Sequence, residues 1–169
     1  TGVKGAPITL MSEKLNGAIF DGSNCHRPSA IAIHQKAHIV VDGFVFRFYA
    51  PKVLGRRAGM DYGQALLWGA RNFTLQNCMQ YGPGKYGQAA VMKWSRDVTW
   101  RNNVVMSFSG GIMGREMKSV RIVNNTFYMP LITNMNMGAS PFVMKNNLFY
   151  GQSEQKYKVY MMQTPRNAN

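Results

Sequence analysis

Trp100-Arg-Asn-Asn-Val-Val105, Ile122-Val-Asn-Asn-Thr-Phe127 and Met144-Lys-Asn-Asn-Leu-Phe149 are one phrase repeated three times. The first Asn of each pair falls at 102, 124 and 146, a period of 22 residues twice over. Two weaker copies precede them. Leu75-Gln-Asn-Cys-Met79 and Val41-Asp-Gly-Phe-Val-Phe46 put Asn77 and Gly43 in the same slot. A short alternating apolar segment that ends in a stacked Asn and recurs at this period marks a parallel β-helix. In such a solenoid each strand lies about 4.8 Å above the equivalent strand of the coil below, so identical Asn side chains can hydrogen-bond up the stack.

Working outward, the chain reads as an all-β solenoid of about five to six coils, with almost no helix. The coils run from Pro7 to Gly22, Ala30 to Phe46, Ala65 to Met79, Ala89 to Val105, Gly111 to Phe127 and Met135 to Phe149. Residues 1–169 form a single domain with loop insertions at 51–63 and 81–88. The first insertion explains why Gly43 and Asn77 stand 34 residues apart instead of 22. Loops that break a solenoid's period usually gather on one face, often the binding face. Thr1-Gly-Val-Lys opens at the lip of a coil and the chain closes on Thr164-Pro-Arg-Asn-Ala-Asn169 without a helical cover, so it is read as a fragment of a longer helix.

Composition narrows the partners. There are 20 Lys and Arg against 7 Asp and Glu, a formal net charge of +13. That field repels itself in the compact state and favours a polyanion: nucleic acid, a membrane surface or an acidic polysaccharide. No apolar stretch is long enough to span a bilayer. Cys25 and Cys78 lie several coils apart and suggest neither a metal site nor a redox pair. The thirteen methionines read as flexible filler in a narrow core.

Strand alternation then separates wall from core. Six residues before the inward positions Ile39, Phe73, Val98 and Val120 lie the inward positions of the preceding strand, Ile33, Leu67, Met92 and Gly114. The next residue in each case faces out: His34, Trp68, Lys93 and Arg115. Three positions further on come Ala37, Arg71, Arg96 and Lys118. Two adjacent cationic columns are therefore expected on coils three to five. Like charges directly opposite in a sheet are destabilising, and a purely structural wall would interleave acids. Only Asp97 and Glu116 lie close by. With Trp68 offering a ring face and the cations neutralising carboxylates or sulfates, the track suits an acidic sugar chain. The bland reading, in which long Lys and Arg stems snorkel over an apolar wall, needs no ligand.

The whole chain resembles the right-handed parallel β-helix proteins of the pectate-lyase-like group. The resemblance rests on the opening Thr1-Gly-Val-Lys-Gly-Ala-Pro-Ile-Thr9 and on Asn-Asn-Thr-Phe-Tyr128 followed by Asn-Asn-Leu-Phe-Tyr-Gly151. It implies a right-handed solenoid and an exported protein (secreted, periplasmic or at the cell surface). A narrower stretch, Ala89 to Phe127, is similar to the alginate lyase and chondroitinase B family. Val91-Met-Lys-Trp-Ser95 fits that family's Lys segment, and Asn103 through Gly111-Ile-Met-Gly-Arg115 fits its Arg segment. This resemblance implies a polysaccharide lyase acting by β-elimination, with Lys93 as Brønsted base and Arg115 as general acid. His34, Trp68, Arg71, Arg96 and Lys118 would bind substrate. The family's calcium is held by a pair of acids shortly before the Lys, where this chain has Tyr86 and Gln88. Neither suits a hard cation, so no cofactor is called for unless calcium ligands lie outside the fragment. Neutralisation of the substrate carboxylate then falls to Arg71, Arg96 or Lys118.

Three rivals complete the reading. A glycosidase needs two carboxylates facing each other across the bond. Asp97 and Glu116 occupy different positions of their coils, Asp97 over Ser119 and Glu116 over Trp94. A non-catalytic polysaccharide-binding or adhesion wall needs the track and nothing more. Nucleic acid ranks lower because Trp68 is the only ring read onto the track, and base-stacking surfaces interleave several. His34 heads the first column as an acid–base group or a sugar contact, while His26 and His38 have no partner spacing for a metal.

Overall fold

The computed structural model describes residues 1–25, 29–49, 63–82, 88–106, 110–128, 134–135, 141–150 and 160–161. Among these the chain is all-β. The first turn of chain contributes β1 (Ile8–Met11) and β2 (Ala18–Asp21). The second carries β3 (Ile31–His34), β4 (Ala37–Asp42) and β5 (Phe44–Arg47). The third repeats this as β6 (Gly63–Trp68), β7 (Arg71–Gln76) and β8 (Met79–Tyr81). The fourth is β9 (Gln88–Lys93), β10 (Arg96–Arg101) and β11 (Val104–Met106). The fifth is β12 (Gly110–Arg115), β13 (Lys118–Val123) and β14 (Thr126–Tyr128). Beyond it lie β15 (Asn134–Met135), β16 (Phe142–Lys145), β17 (Leu148–Tyr150) and β18 (Tyr160–Met161).

Like strands pair with like, always in parallel. The first sheet runs β3-β6-β9-β12, the second β1-β4-β7-β10-β13-β16 and the third β2-β5-β8-β11-β14-β17. This is an all-β molecule of parallel sheets, compatible with a β-helix. The sixth repeat departs from the pattern, since β15 is hydrogen-bonded to β18 and not into the first sheet. Of the expected insertions, Gly63, Tyr81, Gly82 and Gln88 are described and three of them belong to strands, and the remainder lies outside the described residues.

Corners are made by single residues in the left-handed region. Gln35, Gly69, Trp94 and Glu116 have φ of 51°, 64°, 51° and 53° between the first and second sheets. Asn77, Asn102, Asn124 and Asn146 have φ of 54° to 55° between the second and third. A third series, His38, Asn72, Asp97 and Ser119, takes the same conformation one residue into the second sheet. Asn tolerates this region because its short amide bonds locally, and that accounts for its recurrence at one corner.

The Asn pair divides its labour differently from expectation. The first Asn of each pair supplies the left-handed corner, and Asn102 Nδ2 also donates to Asn77 Oδ1 at 3.2 Å. The second forms the ladder inside the molecule. Asn103 donates its N and Nδ2 to Asn125 Oδ1 at 2.9 and 3.0 Å, and Asn125 does the same to Asn147 Oδ1. Cys78, in the equivalent slot, donates its backbone N to Asn103 Oδ1 at 2.9 Å. Asn103 and Asn125 are each 1% exposed, so every rung must be satisfied, and it is.

The core lies inside the three sheets. Phe73, Val98 and Val120 stack through the second sheet, and Leu75, Trp100 and Ile122 stack beside them. Leu67 and Met92 face them from the first sheet, and Phe46 and Phe127 from the third. Burying each such side chain contributes roughly 1.5–3 kcal/mol. Met92 and Met117 fill this core, whereas Met11 is exposed.

Candidate functional site

Every strand of the first sheet ends on an outward residue, and the parallel register lines these ends up. His34 pairs with Trp68, Trp68 with Lys93, and Lys93 with Arg115. The second sheet begins with Ala37 opposite Arg71, Arg71 opposite Arg96, and Arg96 opposite Lys118. Both columns stand as the alternation predicted. Strand β9 is buried from Gln88 to Met92 and opens at Lys93, so the wall becomes accessible where the first column begins. Arg71, Arg96 and Lys118 are exposed, and none of them makes an ion pair among the described residues. Three cations at strand spacing with no acid between them leave repulsion uncompensated.

The first column is not a bare row of charge. The His34 and Trp68 rings lie nearly parallel, 7° apart in plane with centroids 6.2 Å apart. Lys93 Nζ sits 5.3 Å from the Trp68 centroid, and Arg115 Cζ sits 5.9 Å from that of Trp94. Such cation–ring pairs contribute about 0.5–1 kcal/mol each at an exposed site. Trp68 and Trp94 meet at 4.7 Å, tilted by 59°. Trp94 Nε1 donates to Glu116 Oε2 at 2.7 Å, and Glu116 Oε1 lies 3.5 Å from Arg115 Nε. With Arg115 and Glu116 largely in water, that ion pair contributes little to stability.

No protein-family model, no curated protein and no solved structure matches the chain.

Trp94 is the residue that sequence reasoning missed. Trp68 does not stand alone on the track, because Trp94 lies beside it, 43% exposed against 36%. Strand alternation passes over Trp94 because it falls in the two-residue turn between β9 and β10, where its left-handed φ takes it out of the in–out pattern. The available signal was the corner series itself: an indole in a slot that other coils fill with Gln35, Gly69 and Glu116. Glu116 does stack over Trp94 as read, but it holds the indole and Arg115 rather than facing a second acid across a cleft.

Of the two positions where the resemblance would place calcium-binding acids, one is described. Gln88 is buried at the start of β9, and Tyr86 lies outside the described residues. Among the described residues no group of three or more His, Cys, Asp or Glu comes together. No helix among them is long and apolar enough to cross a membrane. His26 also lies outside the described residues.

Proposed function

We propose that this chain is a right-handed parallel β-helix of the pectate-lyase-like kind, exported, whose wall binds an acidic polysaccharide. The observation that carries the reading is the pair of cationic columns in register, Lys93–Arg115 and Arg71–Arg96–Lys118, with exposed indoles set into the first. In the second column, where Arg71, Arg96 and Lys118 make no ion pair among the described residues, charge at strand spacing has a cost that a polyanion would remove. The rings add the apolar surface that a pyranose face requires. The test is direct binding of alginate, polygalacturonate, chondroitin and dermatan, with neutral dextran as control. Binding of at least one acidic chain, weakened stepwise by Arg71→Gln, Arg96→Gln and Lys118→Gln, is the expected outcome. Equal affinity for dextran would overturn it.

A second reading, β-elimination, is favoured by one register pair, Lys93 opposite Arg115 on neighbouring coils. In that chemistry the Lys93 amine takes the proton beside the uronate carboxylate. The electron pair left behind forms the new carbon–carbon double bond as the glycosidic carbon–oxygen bond breaks. Arg115 would hold the departing oxygen and, as general acid, give it a proton that the guanidine regains from water, while the proton taken by Lys93 is lost to solvent. Cations of the second column would meet the uronate carboxylate. Ultraviolet absorbance of an unsaturated product, present in wild type and lost in Lys93→Ala, is the expected sign of catalysis. Silence on every acidic chain with binding retained would leave a non-catalytic wall.

A further inference from the structure

Trp94 occupies a backbone position that works against it. Its φ of 51° is shared with Gln35, Gly69 and Glu116 at the same corner, and the fold is satisfied there by a glycine. A bulky aromatic is disfavoured in this region, and such outliers gather at functional sites. Burial offsets that only in part, since the indole stands 43% exposed. Yet its orientation is fixed: Nε1 is tied to Glu116 of the next coil at 2.7 Å, and its ring rests 4.7 Å from Trp68. The turn that carries it joins β9 to β10, so its backbone lies between the two columns, and its ring meets Trp68 and Arg115 of the first.

We infer that Trp94 is a stacking platform for one pyranose ring of an acidic chain, and that Glu116 is a positioning residue that holds the indole for it. The inference rests on the acidic-polysaccharide reading and assigns the two halves of such a ligand. The apolar face of a sugar lies against Trp94, and its carboxylate or sulfate groups reach the cations on either side. Affinity for the sugar ring then comes from the corner, and selection for charge comes from the columns. The Glu116 carboxylate accepts from Nε1 and keeps Arg115 beside the ring.

The test uses the whole chain, a defined oligomer of whichever acidic polysaccharide binds, and its carboxyl-reduced or desulfated counterpart. Trp94→Gly is suited to the backbone conformation, so its melting midpoint is expected to be unchanged or raised. Its affinity for the acidic oligomer is expected to fall about tenfold with the salt dependence of binding unchanged. Arg96→Gln is expected to weaken binding and to flatten the salt dependence. Trp94→Asn, also tolerant of this corner, should repeat the loss, and Trp94→Tyr should recover most of the affinity. Glu116→Gln, which still accepts from Nε1, should keep most of it, whereas Glu116→Ala should not. Wild-type affinity in Trp94→Gly would overturn the platform and leave the cationic wall standing. No binding of any acidic chain by wild type would overturn the underlying reading instead. Tighter binding of a single-stranded oligonucleotide than of any acidic sugar would overturn both.

Discussion

Asn125 accepts two hydrogen bonds from Asn103 through Oδ1, and its Nδ2 donates to Trp100 O, Val123 O and Asn147 Oδ1. Asn124, its neighbour, is needed chiefly for a φ of 55°. Replacing them should therefore have opposite consequences. Asn125→Ala strands buried partners on both sides and should cost about 2–4 kcal/mol, read from the urea midpoint. Asn124→Gly should stay within about 0.5 kcal/mol of wild type, because glycine adopts the left-handed region without steric penalty. Asp21 gives a prediction in pH. Hydrogen bonds from the Ser23 hydroxyl and backbone N, and then from Arg47, lower its pKa from 3.8 to about 2. A depressed folded pKa means stability that is present above the unfolded value and lost as pH falls from 3.8 towards 2. Asp21→Asn should flatten the stability profile across that acid window, measured by thermal melts, and leave it unchanged in shape near neutrality.

Among the elements, β7, β10 and β13 each open with a cation facing the same way. The sheet would gain from an acid in the middle of that row. Arg96→Glu should raise stability by about 0.2–1 kcal/mol, read from the melting midpoint, while removing binding of an acidic chain. A variant that is both less stable and still able to bind would contradict the role of this row. These columns were readable in the sequence because the period and the in–out alternation are enough to place strand ends. What could not be read was the conformation of the corners. Alternation says nothing about a residue with positive φ, so Trp94 was left off the wall, and the repeat alone did not show that the second Asn of each pair, at 103, 125 and 147, makes the inner ladder. Cys78 in the ladder slot was equally hidden, since its place depends on a backbone N–H meeting Asn103 rather than on its own side chain. Burial pushes its thiol up to about 11, so labelling by a thiol reagent should wait for unfolding of the third coil.

For the molecule as a whole, a net charge of +13 sets two responses to salt in opposition. Going from about 0.01 to about 0.15 M salt shortens the screening length from roughly 30 to roughly 8 Å. Self-repulsion weakens, so the melting midpoint of the free protein should rise, whereas affinity for an acidic chain should fall over the same range. A midpoint that falls with salt would mean that attractive pairs, not repulsion, dominate its surface. The inner Asn ladder has a further consequence, for how such a molecule can change size. Each Asn-to-Asn joint spans 22 residues and repeats the same contacts, with the Oδ1 of Asn125 and of Asn147 turned towards the preceding coil. An in-frame loss or tandem gain of 22 residues hands one joint's donor to the next joint's acceptor and leaves no new surface to invent. A change of 21 misaligns the ladder, the corners and the cationic rows together. From Asn103 onward the coil length is therefore quantised and open to duplication of whole coils, whereas the earlier steps of 34 and 25 residues, from Gly43 to Asn77 and from Asn77 to Asn102, carry their extra residues between the third sheet and the first.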